Sequence, residues 1–295
     1  MPAPATSVAE TSPSPSARPT RTPFRGGSGE TLSVIVPVFN DATQIAANLE
    51  LLISEVEPYF PDYEVLVVSD GSTDGTVDVL AGLRHPRLKV IAYPQNKGKG
   101  YAVREGMKAA RGTYVFMIDG GMELHPTECK IFVGLMELYG ADMVIGSKRH
   151  PQSQVIYPRL RRMLSFCYQK LVKRLFGLNV TDTQVGMKLF RREVVQAVLP
   201  DLTIDRYGFD LELLALARRR GYKRVLEAPI RLDYFHSNFR PVARELLHVF
   251  KVGASVLADT LRLYRRIRRL EAQETPHPVD SSRDKDGPND VSTAA

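Results

Sequence analysis

Apolar residues along this chain fall into two rhythms. Leu32 to Val38 (LSVIVPV), Tyr63 to Ser69 (YEVLVVS), Leu88 to Ala92 and Tyr114 to Ile118 are short runs with few polar interruptions, the pattern of strands buried on both faces. Ala42 to Val56, Val77 to Leu83 and Tyr101 to Ala110 place apolar residues three and four apart, as a helix with one buried stripe does. Pro37 predicts that the first strand stops there. Strand and helix alternate through short connections, which predicts an α/β fold with a parallel sheet and right-handed crossovers.

The second half is less regular. Glu128 to Tyr139 reads as a helix, and Asp142 to Ile145 as a short strand running into Gly146-Ser147-Lys148-Arg149. Pro158 to Phe176 is a basic amphipathic helix carrying Arg159, Arg161, Arg162, Lys170, Lys173 and Arg174 with no acid. Thr181 to Phe190 reads as a loop entering a strand, Arg192 to Leu199 as a helix, and Tyr207 to Arg220 as a helix bearing Asp210 and Glu212. Val225 to Leu232 holds Pro229, which marks an edge strand. Pro241 to Leu270 is a long helix. Its apolar stripe is Leu246, Val249, Phe250, Gly253, Leu257, Leu261 and Tyr264, with His248, Lys251, Ser255, Asp259, Arg262, Arg266 and Arg269 opposite. The expected organisation is a tail over 1–29, one α/β domain over 30–240, a basic amphipathic helix over 241–271 and a second tail over 272–295. Both tails are too polar to offset the entropy of ordering them.

Charge sharpens this picture. A net charge of +7 and a pI near 9.4 suit an anionic partner, whether nucleic acid, anionic lipid or a phosphorylated small molecule. Nucleic-acid binding calls for basic residues interleaved with aromatics. Here the strands are aliphatic and end in acids, which argues for no nucleic acid. The N-terminus carries no apolar signal core, and no window reaches the about 18 apolar residues of a spanning helix. Cys129 and Cys167 stand alone without metal spacing. They are expected to be buried free thiols, which suits a reducing cytoplasm.

The chemistry gathers at strand ends. In TYVFMIDGGMELHP the fourth apolar run stops at Asp119, and the second stops at Asp70. Ligands of open α/β sheets bind beyond the carboxyl ends of the strands, so both carboxylates can reach one crevice. The plainer alternative for Asp119 is a helix-capping strand terminus. Two such acids suit a nucleoside diphosphate, one accepting from base or ribose, the other holding Mg²⁺ or Mn²⁺ together with substrate phosphates. The loop QNKGKG, Gln95 to Gly100, offers backbone N–H groups and lysine charge to anionic oxygens. Its spacing is not that of a P-loop, which excludes ATP hydrolysis by that device.

The segments VIVPVFND, VVSDGSTDGT, NKGKGYAVREGM, IDGGMELHP, GSKR, DTQVGMKLFRRE and YGFDLELLALA occur in this order. Together they resemble glycosyltransferase family 2 with the GT-A fold, a Rossmann-like, mostly parallel sheet flanked by helices. Within it they resemble the polyprenyl- and dolichyl-phosphate glucosyl- and mannosyltransferases, with DTQ…KLF and YGFDLELL leaning toward the dolichyl-phosphate β-glucosyltransferases. The resemblance spans about Leu32 to Asp233. It implies that Pro37, Phe39 and Asp41 contact the nucleotide with Lys99 and Asp119, that Asp70 binds the base, and that Asp119 and Glu123 hold the metal. It further implies that Lys148, Arg149 and Lys188 face the acceptor phosphate, and that Asp182, Gln184 and Asp210 act at the sugar.

The implied reaction moves glucose or mannose from UDP-glucose or GDP-mannose to a polyprenyl phosphate, with inversion and with Mg²⁺ or Mn²⁺. The acceptor oxygen is already anionic, so no strong base is needed. A lipid acceptor gives the basic helices a role at the cytoplasmic membrane surface. One departure stands out: the second acid of the family's Asp-x-Asp motif is Gly121 here. It leaves open an active enzyme with a looser metal site, or a catalytically silent binding or scaffold protein.

Overall fold

The computed structural model describes residues 30–155, 159–232 and 242–273. Both expected tails therefore lie outside the described residues, apart from 272 and 273, as do Pro158 and Pro241. A seven-stranded sheet runs in the order β3-β2-β1-β4-β6-β5-β7. Its strands are β1 (Leu32–Val38), β2 (Tyr63–Asp70), β3 (Leu88–Tyr93), β4 (Tyr114–Met117), β5 (Met143–Ser147), β6 (Lys188–Arg191) and β7 (Val225–Pro229). The helices are α1 (Ile45–Val56), α2 (Thr76–Gly82), α3 (Lys99–Ala109), α4 (Cys129–Tyr139), α5 (Arg159–Phe176), α6 (Arg192–Val198), α7 (Phe209–Arg219) and α8 (Val242–Gln273).

The pleat sorts the strand side chains into two cores. Val34, Val36, Val65, Val67 and Phe116 pack on one face with Leu49, Phe132 and Met136 of α1 and α4. Ile35, Leu66, Val115 and Met117 pack on the other with Val103, Met107, Leu213 and Leu214 of α3 and α7. Strands covered on both faces must be apolar throughout, which is why β1 and β4 read as unbroken runs.

Three elements differ from the expectation, as does one cysteine. β1 does not stop at Pro37 but continues to Val38, paired with β2. The carbonyls of Ile35 and Pro37 accept from Ile118 and Gly120, so the proline's missing donor faces the side where the ladder to β4 has already ended at Ile35. β6 is antiparallel to both β4 and β5. Met117, the last residue of β4, pairs with Lys188, the first of β6. The segment leading into β6 therefore lies at the ligand-binding edge, where the parallel strands end. β7 is the sheet edge, as Pro229 predicts.

The third difference is in α8. Among the described side chains of α8 the buried ones are Val256, Thr260, Leu263 and Ile267, while Leu257 and Leu261 of the expected stripe are exposed; Leu246, Val249 and Phe250 of that stripe lie outside the described side chains. The buried face is thus offset from the predicted one because α8 packs against both α5 and α7. Tyr168 and Thr260 share a hydroxyl hydrogen bond of 3.0 Å, and Phe176 meets Tyr264 edge-on at 6.0 Å. Arg266, expected on the solvated side, donates to Glu212 (2.6 Å), Thr203 Oγ1 (2.7 Å) and the Asp201 carbonyl (2.6 Å). Both cysteines are free; Cys129 is buried, and burial pushes its thiol up, but Cys167 lies exposed on α5, contrary to expectation.

Candidate active site

A cavity of about 510 Å³ opens at the carboxyl ends of β1, β2 and β4. Pro37, Phe39 and Asp41 line it together with Asp70, Lys99 and Asp119. Six residues singled out from sequence as nucleotide contacts therefore share one wall system, and the two strand-end carboxylates open into one space.

The turn after β1 is stitched to the turn after β2. Asn40 N donates to Ser72 Oγ (3.1 Å), Asn40 Oδ1 accepts from Thr73 N (2.8 Å), Asp41 N donates to Thr76 Oγ1 (2.9 Å), and Ala42 N to Asp74 Oδ2 (3.0 Å). These bonds hold Asn40 at φ 53°, a left-handed conformation asparagine tolerates. The same turn leaves Phe39 half exposed on the cavity wall, to which the exposed Tyr207 also contributes.

Asp70 is buried, and its carboxylate is already engaged. Oδ1 accepts from Tyr93 Oη (2.9 Å) and Lys97 N (2.8 Å), and Oδ2 from Gly98 N (2.9 Å). Its carbonyl accepts from Asn96 Nδ2 (3.1 Å). Asp70 thus anchors the Gly/Lys loop while also lining the cavity. Glycine is required there: a Cβ at Gly98 or Gly100 would overlap the backbone of 204–205, which crosses the start of α3.

Lys99 opens α3 and points at Asp119, with Nζ 2.5 Å from Oδ1. Burial would lower the lysine's pKa, but Asp119, then Asp210 and Glu123, outweigh it and hold the ammonium above its ordinary range. Behind it lies a second pair, Lys188 Nζ to Asp210 Oδ1 at 2.5 Å. Burial pushes the Asp210 carboxyl up, with Lys188 and Lys99 pulling it back. Acid and base therefore alternate from the cavity into the core: Asp119, Lys99, Asp210, Lys188.

The remaining expected residues sit elsewhere. Lys188 does not face an acceptor: it is fully buried and also donates to the Val185 carbonyl, because β6 begins inside the sheet. Asp182 is buried, and its Oδ1 accepts from Gln184 N (3.1 Å), making it a turn cap; Gln184 itself is exposed. Glu123 is exposed and outside the cavity lining, although its charge reaches Lys99. Lys148 and Arg149 are half-buried at the end of β5, where the Arg149 guanidinium stands 5.7 Å from the Phe166 ring of α5.

Sequence reasoning did not single out Asn96, Arg206 and Tyr207 as wall residues, nor Gly186 and Glu227. A Cβ at Gly186 would overlap the Asp119 carboxylate, so the loop before β6 is the floor beneath that acid. Glu227 Oε1 accepts from Thr181 N (2.8 Å), Thr181 Oγ1 (2.8 Å) and Asp182 N (3.2 Å), which fixes the same loop from β7. For Arg206 and Tyr207 a signal existed, since they immediately precede the acid-bearing α7.

Of the carboxylates lining the cavity, Asp70 is already engaged by three donors, and Asp119 is the one that closes the fourth strand run. No group of three or more His, Cys, Asp or Glu able to hold a metal exists among the described residues. Asp119 alone, half exposed beside the cavity, fits a hard cation that takes most of its oxygens from substrate phosphates and water. It does not fit one caged by the protein.

The parallel strand tips, the turn after β1 and the helix opened by a Gly/Lys loop define a GT-A fold. The family model "Glycosyl transferase family 2" matches residues 33–199. The chain belongs to glycosyl transferase family 2. It is 36% identical over 203 residues to the dolichyl-phosphate beta-glucosyltransferase of Drosophila melanogaster, covering 63% of this chain and 62% of that one. It is 34% identical over 204 residues to the enzyme of that name from Homo sapiens, covering 63% of each. The chain thus spans a little over six-tenths of the length of these relatives. Among solved structures, glucosyl-3-phosphoglycerate synthase from Mycobacterium tuberculosis, in complex with Mn²⁺, UDP-glucose and phosphoglyceric acid, has the same fold. The TM-score is 0.59, at 21% identity over 80% of each chain.

Proposed function

We propose that this chain is an inverting hexosyltransferase that moves glucose from a nucleoside diphosphate sugar to a polyprenyl phosphate at the cytoplasmic face of a membrane. UDP-glucose is the donor favoured by the likeness to the dolichyl-phosphate beta-glucosyltransferases, with GDP-mannose as the alternative. The observation that carries the reading is the single cavity shared by Phe39, Asp70, Lys99 and Asp119.

In this reading Phe39 and Tyr207 flank the base and Asp41 lies near it. The loop held by Asp70 presents the start of α3 to the diphosphate. Two helix N–H groups at Lys99 and Gly100 and the Lys99 ammonium would stabilise the negative charge that grows on the leaving diphosphate. Mg²⁺ or Mn²⁺ held by Asp119 and the phosphates would supply Lewis-acid stabilisation of the same charge. The lipid phosphate attacks the anomeric carbon as an anion. Asp182, Gln184, Asp210 and Lys188 would then shape the floor and its charge, while Lys148 and Arg149 would meet the acceptor phosphate. Loss of the second motif acid at Gly121 shifts metal holding to the substrate and does not require a silent protein.

The membrane surface is supported by α5 and α8. Met163, Phe166, Leu257 and Leu261 are exposed apolar residues on these packed helices, with Lys170 4.5 Å from the Phe166 ring and Arg262 exposed. Such faces lie in the interface of an anionic bilayer. Among the described residues no helix is long and apolar enough to cross a membrane.

The test is incubation of the protein with radiolabelled UDP-glucose or GDP-mannose, polyprenyl phosphate in vesicles, and Mn²⁺ or Mg²⁺. Label passing into the organic phase as an acid-labile lipid is the expected result. Donor hydrolysis alone, or no reaction with either donor, overturns the assignment.

A further inference from the structure

The Lys99–Asp119 pair has a consequence for how a cation enters the site. Of the three acids lining the cavity, Asp70 is taken up by Tyr93 and the Gly/Lys loop and Asp41 lies in the turn after β1, which leaves Asp119, ahead of the side-chain-less Gly121, as the acid paired with a lysine there. The Asp119 oxygen that is shielded from solvent, Oδ1, is the one that faces the Lys99 ammonium at 2.5 Å. The ammonium therefore holds a positive charge against the acid that the cation needs. Lys99 is also placed to leave. Its side chain is 38% exposed, and it is the first residue of a helix whose N-terminus opens on the cavity. A diphosphate arriving there would offer it anionic oxygens. Asp210 would not be stranded by that movement, since it keeps Lys188.

We propose that Lys99 is a resident counter-ion for Asp119, so that the free protein excludes divalent cations and accepts one only together with a nucleoside diphosphate. The ammonium moves from Asp119 to the diphosphate, and the vacated carboxylate oxygen turns to the cation. This rests on the nucleotide-sugar reading for its second half only. Exclusion of the cation by Lys99 is a property of the protein alone.

The experiment is titration of the full-length protein with Mn²⁺, following the free-ion electron paramagnetic resonance signal, with and without UDP. The variants are Lys99→Met, Lys99→Arg and Lys99→Met combined with Asp119→Asn, each checked for an intact thermal transition. Without UDP, Lys99→Met is expected to bind Mn²⁺ at least tenfold more tightly than the wild type and Lys99→Arg. The double variant is expected to lose that gain. Equal Mn²⁺ affinity of Lys99→Met and wild type without nucleotide, or a gain that survives Asp119→Asn, overturns the proposal. Failure of UDP to promote Mn²⁺ binding to the wild type would count against the nucleotide reading, and the nucleotide-free comparison would still decide the role of Lys99.

Discussion

Two lysine–aspartate pairs with the same 2.5 Å separation do different things in this molecule. Lys99 and Asp119 are 38% and 43% exposed at the cavity, whereas Lys188 and Asp210 are 0% and 7% exposed at the start of β6. Exposed pairs contribute little stability, about 0–1 kcal/mol, because water screens both partners. Breaking a buried pair leaves an uncompensated charge and costs about 3–5 kcal/mol. The outer pair can open when a ligand competes for its charges; the inner one is fixed. The difference teaches that burial, not geometry, decides which pair can exchange partners.

The largest expected effect breaks the inner pair. Lys188→Met should destabilise the protein by about 3–5 kcal/mol, seen as a drop of several degrees or more in the thermal midpoint. Lys99→Met in the same assay should cost no more than about 1 kcal/mol; equal losses would erase the distinction between the pairs. Asp70→Ala comes next. It leaves Lys97 N and Gly98 N, both now bonded to the carboxylate, without an acceptor, at about 1–3 kcal/mol for each buried donor that water cannot reach. Because the loop then loses its shape, calorimetric UDP affinity should fall at least tenfold.

Gly121→Asp sharpens the comparison from the cavity side. A Cβ at Gly121 meets no atom within 4 Å, so stability should change by no more than about 0.5 kcal/mol. Mn²⁺ affinity in the presence of UDP should rise several-fold. An unchanged affinity would mean that position 121 does not reach the cation.

The smallest effect belongs to a pair of like charge. Burial, then Glu30, raises the Glu137 carboxyl to about 7. Glu30 Oε2 and Glu137 Oε1 are both buried without a hydrogen-bond donor. A folded-state pKa above the unfolded value means the folded protein keeps a proton the unfolded chain releases. That contribution is complete below about 4.5, declines as pH rises to about 7, and is absent above. Thermal midpoints measured across this window should fall with pH, and Glu137→Gln should flatten that part of the slope.

Much of the cavity was legible in the sequence because strand ends are local features. Asp70 and Asp119 terminate apolar runs, and parallel strands bring such termini to one edge. The Gly/Lys loop and the edge strand at Pro229 were legible for the same reason. What was not legible depends on direction and distance. Alternation in Lys188 to Arg191 does not encode whether β6 runs with or against its neighbours, and the family resemblance that suggested Lys188 for the acceptor phosphate does not show that it lies inside the sheet. That the Asp70 carboxylate also ties down the Gly/Lys loop was not legible, because its three donors come from residues 23 to 28 positions away. The stripe of α8 was misplaced because two neighbouring helices, not one, determine which side is covered.

The glycine at position 186 carries a further lesson. The surface that a sugar would meet beside Asp119 is shaped by a missing methyl group one strand away. Even alanine there would tilt the acid out of its seat, so the position of a charged group on the cavity wall is set by a residue that has no side chain of its own.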